Sequence, residues 1–207
     1  MPSPRKSTER TAAARLREAA RLFTLAAADA RVQRRLRRAA AVTVKALQHG
    51  GRVLLCGNGG SAAEAQHFAG ELVGAFLDRQ RPAFAAITLG SEFASLTAIA
   101  NDFSYSDALA RQLRALGRRG DVLWALSTSG GAANVLAALR AARELGITSV
   151  LFTNHDGGSA RALADIVLHT PEAGTPRAQE LHLAYGHWLC EAIEAKLARA
   201  KGTRKGK

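Results

Sequence analysis

Three stretches of this chain carry side chains and spacings that could do chemistry. The first is Ser127-Thr128-Ser129-Gly130-Gly131, which runs into an Ala- and Leu-rich segment. If that segment is a helix, its free N–H groups and the three hydroxyls can ring a phosphate. The loop contains no Lys, so it suits holding a phosphoryl group rather than transferring one; transfer enzymes add cations and magnesium against developing charge. The plainer alternative is a helix cap, which needs one hydroxyl and not three. The second stretch is Gly57-Asn58-Gly59-Gly60-Ser61-Ala62. It fits a G-x-G-x-x-A fingerprint, but no acid ends the next strand about 20 residues on to hold a ribose. Asp78 precedes that strand and Glu92 lies too far along, so a nicotinamide or flavin site is disfavoured. A Walker A loop fails too, because no Gly-Lys-Ser/Thr follows. What remains is a glycine loop whose backbone N–H groups can approach an oxyanion at a helix start.

The third stretch is His67-Phe68-Ala69-Gly70-Glu71. On a helix His67 and Glu71 are i,i+4, about 6 Å apart along the axis and on one face. That spacing can chelate a metal or set a base beside a ligand; on its own it also describes an ordinary surface pair. Gln179, His182 and His187 lie on what reads as one further helix. Gln179 and His187 are separated by about 12 Å of straight helix and ~80° of rotation, so local geometry does not make them natural co-ligands. If both serve one site, their side chains converge or one acts in a neighbouring subunit.

These loops need a scaffold that aims them at one place. From Gly50 onward, short apolar runs alternate with helical stretches. The strand candidates are 53–56, 83–89, 122–127, 149–153 and 166–169. Helix candidates are 62–77, 91–100, 106–116, 132–145, 160–163 and a long last one over 175–200. Strands alternating with helices make a doubly wound α/β domain with a five-stranded parallel sheet. Such sheets bind ligands at the carboxyl ends of their strands, where these loops would sit. Ahead of the sheet, 11–48 has helical apolar spacing and reads as one long helix or two joined ones. The expected organisation is a basic tail over 1–10, one domain over 11–200 and a second basic tail over 201–207.

Composition adds limits. The chain has 207 residues, 47% of them apolar, and a formal net charge of +12. That supports one folded domain and rules out global disorder. The charge invites a nucleic-acid reading, so its location decides. Residues 1–45 carry net +9, 196–207 carry +6, and the middle carries −3. The cluster Arg31, Arg34, Arg35, Arg37 and Arg38 reads as a solvated helix face, with a patch for an acidic partner as the alternative. Two cysteines, Cys56 and Cys190, exclude a disulfide scaffold and suit a reducing cytoplasm. The charged start lacks a signal-peptide core, and no run reaches the ~18 apolar residues of a membrane helix. The expectation is a soluble cytoplasmic protein.

Taken together and in order, Gly57–Ser61, His67-Phe68-Ala69-x-Glu71, Asn101-Asp102-Phe103, Ser127-Thr128-Ser129-Gly130 and Gln179-Glu180-x-His182 with His187 resemble the phosphoheptose isomerase family. This family has the sugar isomerase (SIS) fold, and the resemblance spans about 12–198. It implies an aldose–ketose isomerisation of sedoheptulose 7-phosphate to D-glycero-D-manno-heptose 7-phosphate through an enediol. By motif, Glu71 is the base and His187 its acid/base partner. Asn58, Gly59, Gly60, Ser61, Asn101, Asp102 and Gln179 line the substrate, with Ser127, Thr128 and Ser129 on the phosphate. His67, Glu71, Gln179 and His187 resemble the ligands of a bound zinc, one per subunit. The resemblance also implies a homotetramer with sites at subunit interfaces. It implies neither a membrane nor a nucleic-acid partner; the basic tails leave that second route open.

The family pattern is departed from at two places. Gly131-Ala132 stands where Asn-Ser is common, removing a hydroxyl, and Pro176 replaces an Asp three residues before Gln179. Either suits altered affinity or another sugar phosphate. A rival reading is a non-catalytic SIS adaptor that associates with the replication initiator; it shares the segment Leu96–Asp102 but lacks a carboxylate at the position of Glu71. If the basic tails are accessory, deleting 1–9 and 201–207 leaves the turnover rate within about twofold.

Overall fold

The computed structural model describes residues 11–202, and the basic stretches 1–10 and 203–207 lie outside them. Its frame is a five-stranded parallel sheet in the order β2-β1-β3-β4-β5. The strands are β1 (Val53–Cys56), β2 (Ala86–Thr88), β3 (Val122–Leu126), β4 (Thr148–Thr153) and β5 (Ile166–His169). β1 and β3 are buried along their whole length, as expected for parallel strands covered on both faces. Trp124 on β3 packs its ring edge-on to Phe68 and tilted against Phe152, with centroids 6.2 and 5.7 Å away. Its indole N–H donates to buried Thr43, 3.3 Å away.

The N-terminal stretch is two helices, α1 (Ala12–Ala28) and α2 (Ala30–Gln48). Asp29 makes the break. Its backbone is extended and its carboxylate accepts from the Arg31 and Val32 N–H groups at 2.7 and 3.3 Å, a side-chain cap that starts a new helix. The basic cluster divides accordingly. Arg31, Arg34, Arg37 and Arg38 are exposed. Arg35 turns toward β5, donating to the Val167 carbonyl at 3.1 Å and meeting His169 Nδ1 at 2.9 Å.

α3 (Gly60–Val73) follows β1, α4 (Phe93–Asp102) follows β2, and α5 (Ala108–Leu116) and α6 (Ala133–Leu145) flank β3. α7 spans Thr175–Gly202. Several boundaries differ from the sequence reading. Helix 62–77 stops at Val73, because the N–H groups of 76–78 go to a side chain instead of to the helix. Strand 83–89 shortens to Ala86–Thr88. Candidate helix 160–163 is a 3-10 turn over Gly158–Ala162, and 106–116 opens with another at Tyr105–Asp107.

α3 and α7 lie side by side and run the same way: Gly60 meets Gln179, Phe68 meets Gly186, and His67 meets His187. The approach depends on glycine. A Cβ on Gly186 would fall inside the Phe68 ring. Gly186→Ala is therefore expected to destabilise the protein by about 2 kcal/mol through overpacking, despite the ~1 kcal/mol that Ala gains over Gly within a helix. A lowered urea midpoint with unchanged slope would bear this out.

Candidate active site

The glycine loop crosses from β1 into α3. Gly59, with φ +53°, caps α3 without any side-chain hydrogen bond, so nothing at the cap competes for an oxyanion at the helix start. A Cβ at Gly57 would sit 2.6 Å from the Ser61 carbonyl oxygen, so the turn is closed to larger residues. Asn58 is held from two directions. It exchanges reciprocal 2.8 Å amide hydrogen bonds with Asn134 at the start of α6, and the Tyr105 hydroxyl donates to its Oδ1 at 2.9 Å. Sequence reasoning missed both partners. Asn134 carried a signal, since it lies one helical turn past the hydroxyl loop.

The hydroxyl loop ends β3. Ser127 is buried, Thr128 half-buried and Ser129 exposed. The helix-cap alternative does not describe α6: its cap is Ala132, with no side-chain hydrogen bond. Ser129 Oγ instead accepts from the Gly131 N–H at 3.2 Å, inside the loop. The loop is braced by the next crossover. Gly130 has φ +61° and presses on Gly157 so closely that no Cβ fits, and its carbonyl accepts from the Ala160 N–H at 2.9 Å.

His67, Glu71 and His187 form one cluster, their ligand atoms all within 4.8 Å of one another. The two Nε2 atoms of His67 and His187 are 2.8 Å apart, and Glu71 Oε1 is 3.5 Å from His67 Nε2. His187 lies face-on to Phe76, at 5.5 Å and 28°, and edge-on to Phe68. Partial burial and then the neighbouring His67 lower its pKa, with Glu71 opposing. The His187 ring is thus biased toward the neutral form, which can accept a proton at one nitrogen and give one at the other. Two imidazoles and a carboxylate this close are a donor set that could hold a metal ion.

Gln179 stands apart from that cluster. Its amide lies against Gly60 and donates to Ser61 Oγ at 3.5 Å, about two helical turns from His67. The spacing difficulty read from the sequence therefore persists within one chain. Asn101 and Asp102 sit on the exposed last turn of α4, bound to each other at 2.8 Å. Glu64 shares the α3 stripe of Gly60, His67 and Glu71; burial raises its pKa to about 7, and one carboxyl oxygen has no hydrogen-bond partner.

An open parallel sheet with a glycine loop and a hydroxyl loop at its carboxyl edge defines an α/β domain built to take an anionic ligand. Residues 8–154 match the family model described as SIS domain. Phosphoheptose isomerase of Burkholderia pseudomallei (strain K96243) is 46% identical over 177 residues, which cover 86% of this chain and 89% of that protein. The structure of phosphoheptose isomerase from Neisseria gonorrhoeae has TM-score 0.82 at 38% identity, covering 88% of this chain and 96% of that one. The enzyme from Francisella tularensis has TM-score 0.84 at 32% identity, with coverage of 87% and 95%. The chain belongs to the phosphoheptose isomerase family of SIS-domain proteins.

His182, one of the motif residues, faces the core and not the cluster. It is fully buried, 6.0 Å edge-on from Phe152. Its ring nitrogens meet no partner at hydrogen-bonding geometry; the nearby Thr153 backbone favours its charge only weakly, and burial dominates, lowering its pKa to about 4. The unfolded chain takes up this proton near pH 6.5 and the folded chain only near 4. The contribution is complete above pH 6.5 and is lost as pH falls toward 4, on the order of 3 kcal/mol over the window. Denaturation of His182→Leu between pH 7 and 4 should show a flatter pH dependence than wild type.

Proposed function

We propose that this chain interconverts sedoheptulose 7-phosphate and D-glycero-D-manno-heptose 7-phosphate. The observation that carries the reading is the meeting of Glu71 and His187 in one cluster on α3 and α7, the same α3 whose start, about three turns earlier, is the glycine loop. Isomerisation requires removing a proton next to a carbonyl and returning it at the neighbouring carbon. The Glu71 carboxylate is the group for that transfer, through an enediol. His187 moves the proton between the two oxygens, as an imbalance of charge there would otherwise build up. The N–H groups at the start of α3, Asn58 and Ser61 orient the sugar, and Ser127, Thr128 and Ser129 hold its phosphate. Gln179, beside Ser61, and Asn101 and Asp102 contact the sugar as well.

His67, Glu71 and His187 are the residues that would hold a zinc ion, with Gln179 as the fourth ligand in the family's pattern. When bound, the ion supplies a Lewis acid that polarises the substrate oxygens. A homotetramer fits the apolar residues left open on α1 and α4: Leu16 is 70% exposed and Phe93 75%. Among the described residues no helix is long and apolar enough to cross a membrane; the two free cysteines suit the reducing cytoplasm, the location proposed for the protein. The adaptor alternative is not favoured, because the carboxylate at Glu71 is present.

NMR of the purified protein with sedoheptulose 7-phosphate, with and without zinc, tests the activity. Glu71→Gln should lower turnover by about 10³-fold or more, since removing the base removes the chemical step; an unchanged rate would sink the mechanism. A wild type that binds the phosphate sugar without turnover would favour the adaptor. His67→Ala should weaken zinc binding by about tenfold or more in a chelator competition.

A further inference from the structure

One buried ion pair lies directly behind this site and takes no part in the chemistry described so far. Arg81 and Glu194 are 2.5 Å apart, with side chains 3% and 5% exposed. Neither belongs to a motif that the sequence singled out. A buried pair of this kind adds little stability by itself, because desolvation offsets the attraction. Its other bonds suggest a different use.

Arg81 spends its remaining donors on the end of α3. Nη2 donates to the Glu71 carbonyl at 2.6 Å, and Nη1 to the Leu72 and Pro82 carbonyls at 3.0 and 2.9 Å. The last carbonyls of a helix have no partner within it, so the guanidinium caps the turn that bears Glu71. Its plane also covers the Phe84 ring at 4.1 Å. Glu194, on α7, accepts from the backbone N–H groups of Phe76, Leu77 and Asp78 at 3.2, 2.9 and 2.6 Å. Burial opposes its charge, but Arg81 and these three donors outweigh it and hold the carboxyl below its usual range. Phe76 is the ring stacked on His187. One ion pair therefore ties both arms of the site, the backbone of Glu71 and the ring that backs His187, to the same point on α7.

We propose that Arg81, anchored by Glu194, is a positioning residue that fixes Glu71 and His187 relative to each other for proton transfer. The proposal rests on the isomerase reading. It requires arginine specifically. Only a planar fork reaches a carboxylate and carbonyls on different sides at once, whereas a lysine ammonium keeps the charge and loses the fork.

The test is Arg81→Lys, together with Phe76→Leu, assayed with sedoheptulose 7-phosphate. Misplacing a reacting group by about 1 Å lowers the rate by about 100-fold. The expected result is a kcat lower by about 10- to 100-fold in Arg81→Lys, with KM for the sugar phosphate within about threefold, because the anion loops are untouched. Phe76→Leu should lower kcat in the same sense. A folded Arg81→Lys enzyme with wild-type kcat would overturn the proposal. If that variant does not fold, Phe76→Leu decides: wild-type kcat there overturns it equally. A wild type without turnover would defeat the isomerase reading instead. The His187 Cε1–H resonance then reads positioning directly: a shift in Arg81→Lys supports the proposal, and an unmoved resonance overturns it.

Discussion

The site depends on one contact, the close parallel approach of α3 to α7. Gly186 allows it, since a Cβ there would strike the buried Phe68 ring, whereas a Cβ at Gly60 would meet only the movable amide end of Gln179. Close-packed interiors leave no slack for an extra methyl group, so Gly186 against Phe68 sets the distance between the helices. That distance decides whether His67 on one helix and His187 on the other can meet at 2.8 Å. Phe68, packed against Gly186, also carries the contact inward to Trp124 and Phe152 on the sheet. The hydrophobic core and the polar cluster are two sides of the same pair of helices.

The rest of the site follows from where a parallel sheet ends. β1 and β3 are neighbours in register, Val53 to Val122 through Cys56 to Ala125, so the loops after them emerge side by side. The Asn58–Asn134 amide pair then ties the first loop to the helix that follows the second. An anion met by backbone N–H groups and hydroxyls needs no local excess of cations. This resolves the oddity of a chain with net charge +12 whose middle, over 46–195, is net −3.

How much was legible in the sequence varies by kind of residue. The alternation of strands and helices, the two loops and the His67/Glu71 pair could be read, because each depends on neighbours a few positions away. The end of α3 could not. Apolar spacing runs on to Leu77, but Glu194 captures the N–H groups of Phe76, Leu77 and Asp78 from more than 110 positions away. Asp29 could have been read as a helix start, being a good cap residue, yet the unbroken apolar pattern on both sides hid it. His182 matched a motif and turned out to serve the core.

By itself the sequence determined the fold class, the chemistry available in each loop and the family, since these reside in local periodicity, residue type and order along the chain. Only the tertiary structure decided which of those residues meet. His67 and His187 come together across 120 positions, whereas Gln179, on the same helix as His187, lies two turns away at Ser61. The physical reason is that packing distance between helices is set by side-chain volume at the contact, here by Gly186 against Phe68. No spacing along the chain records that distance.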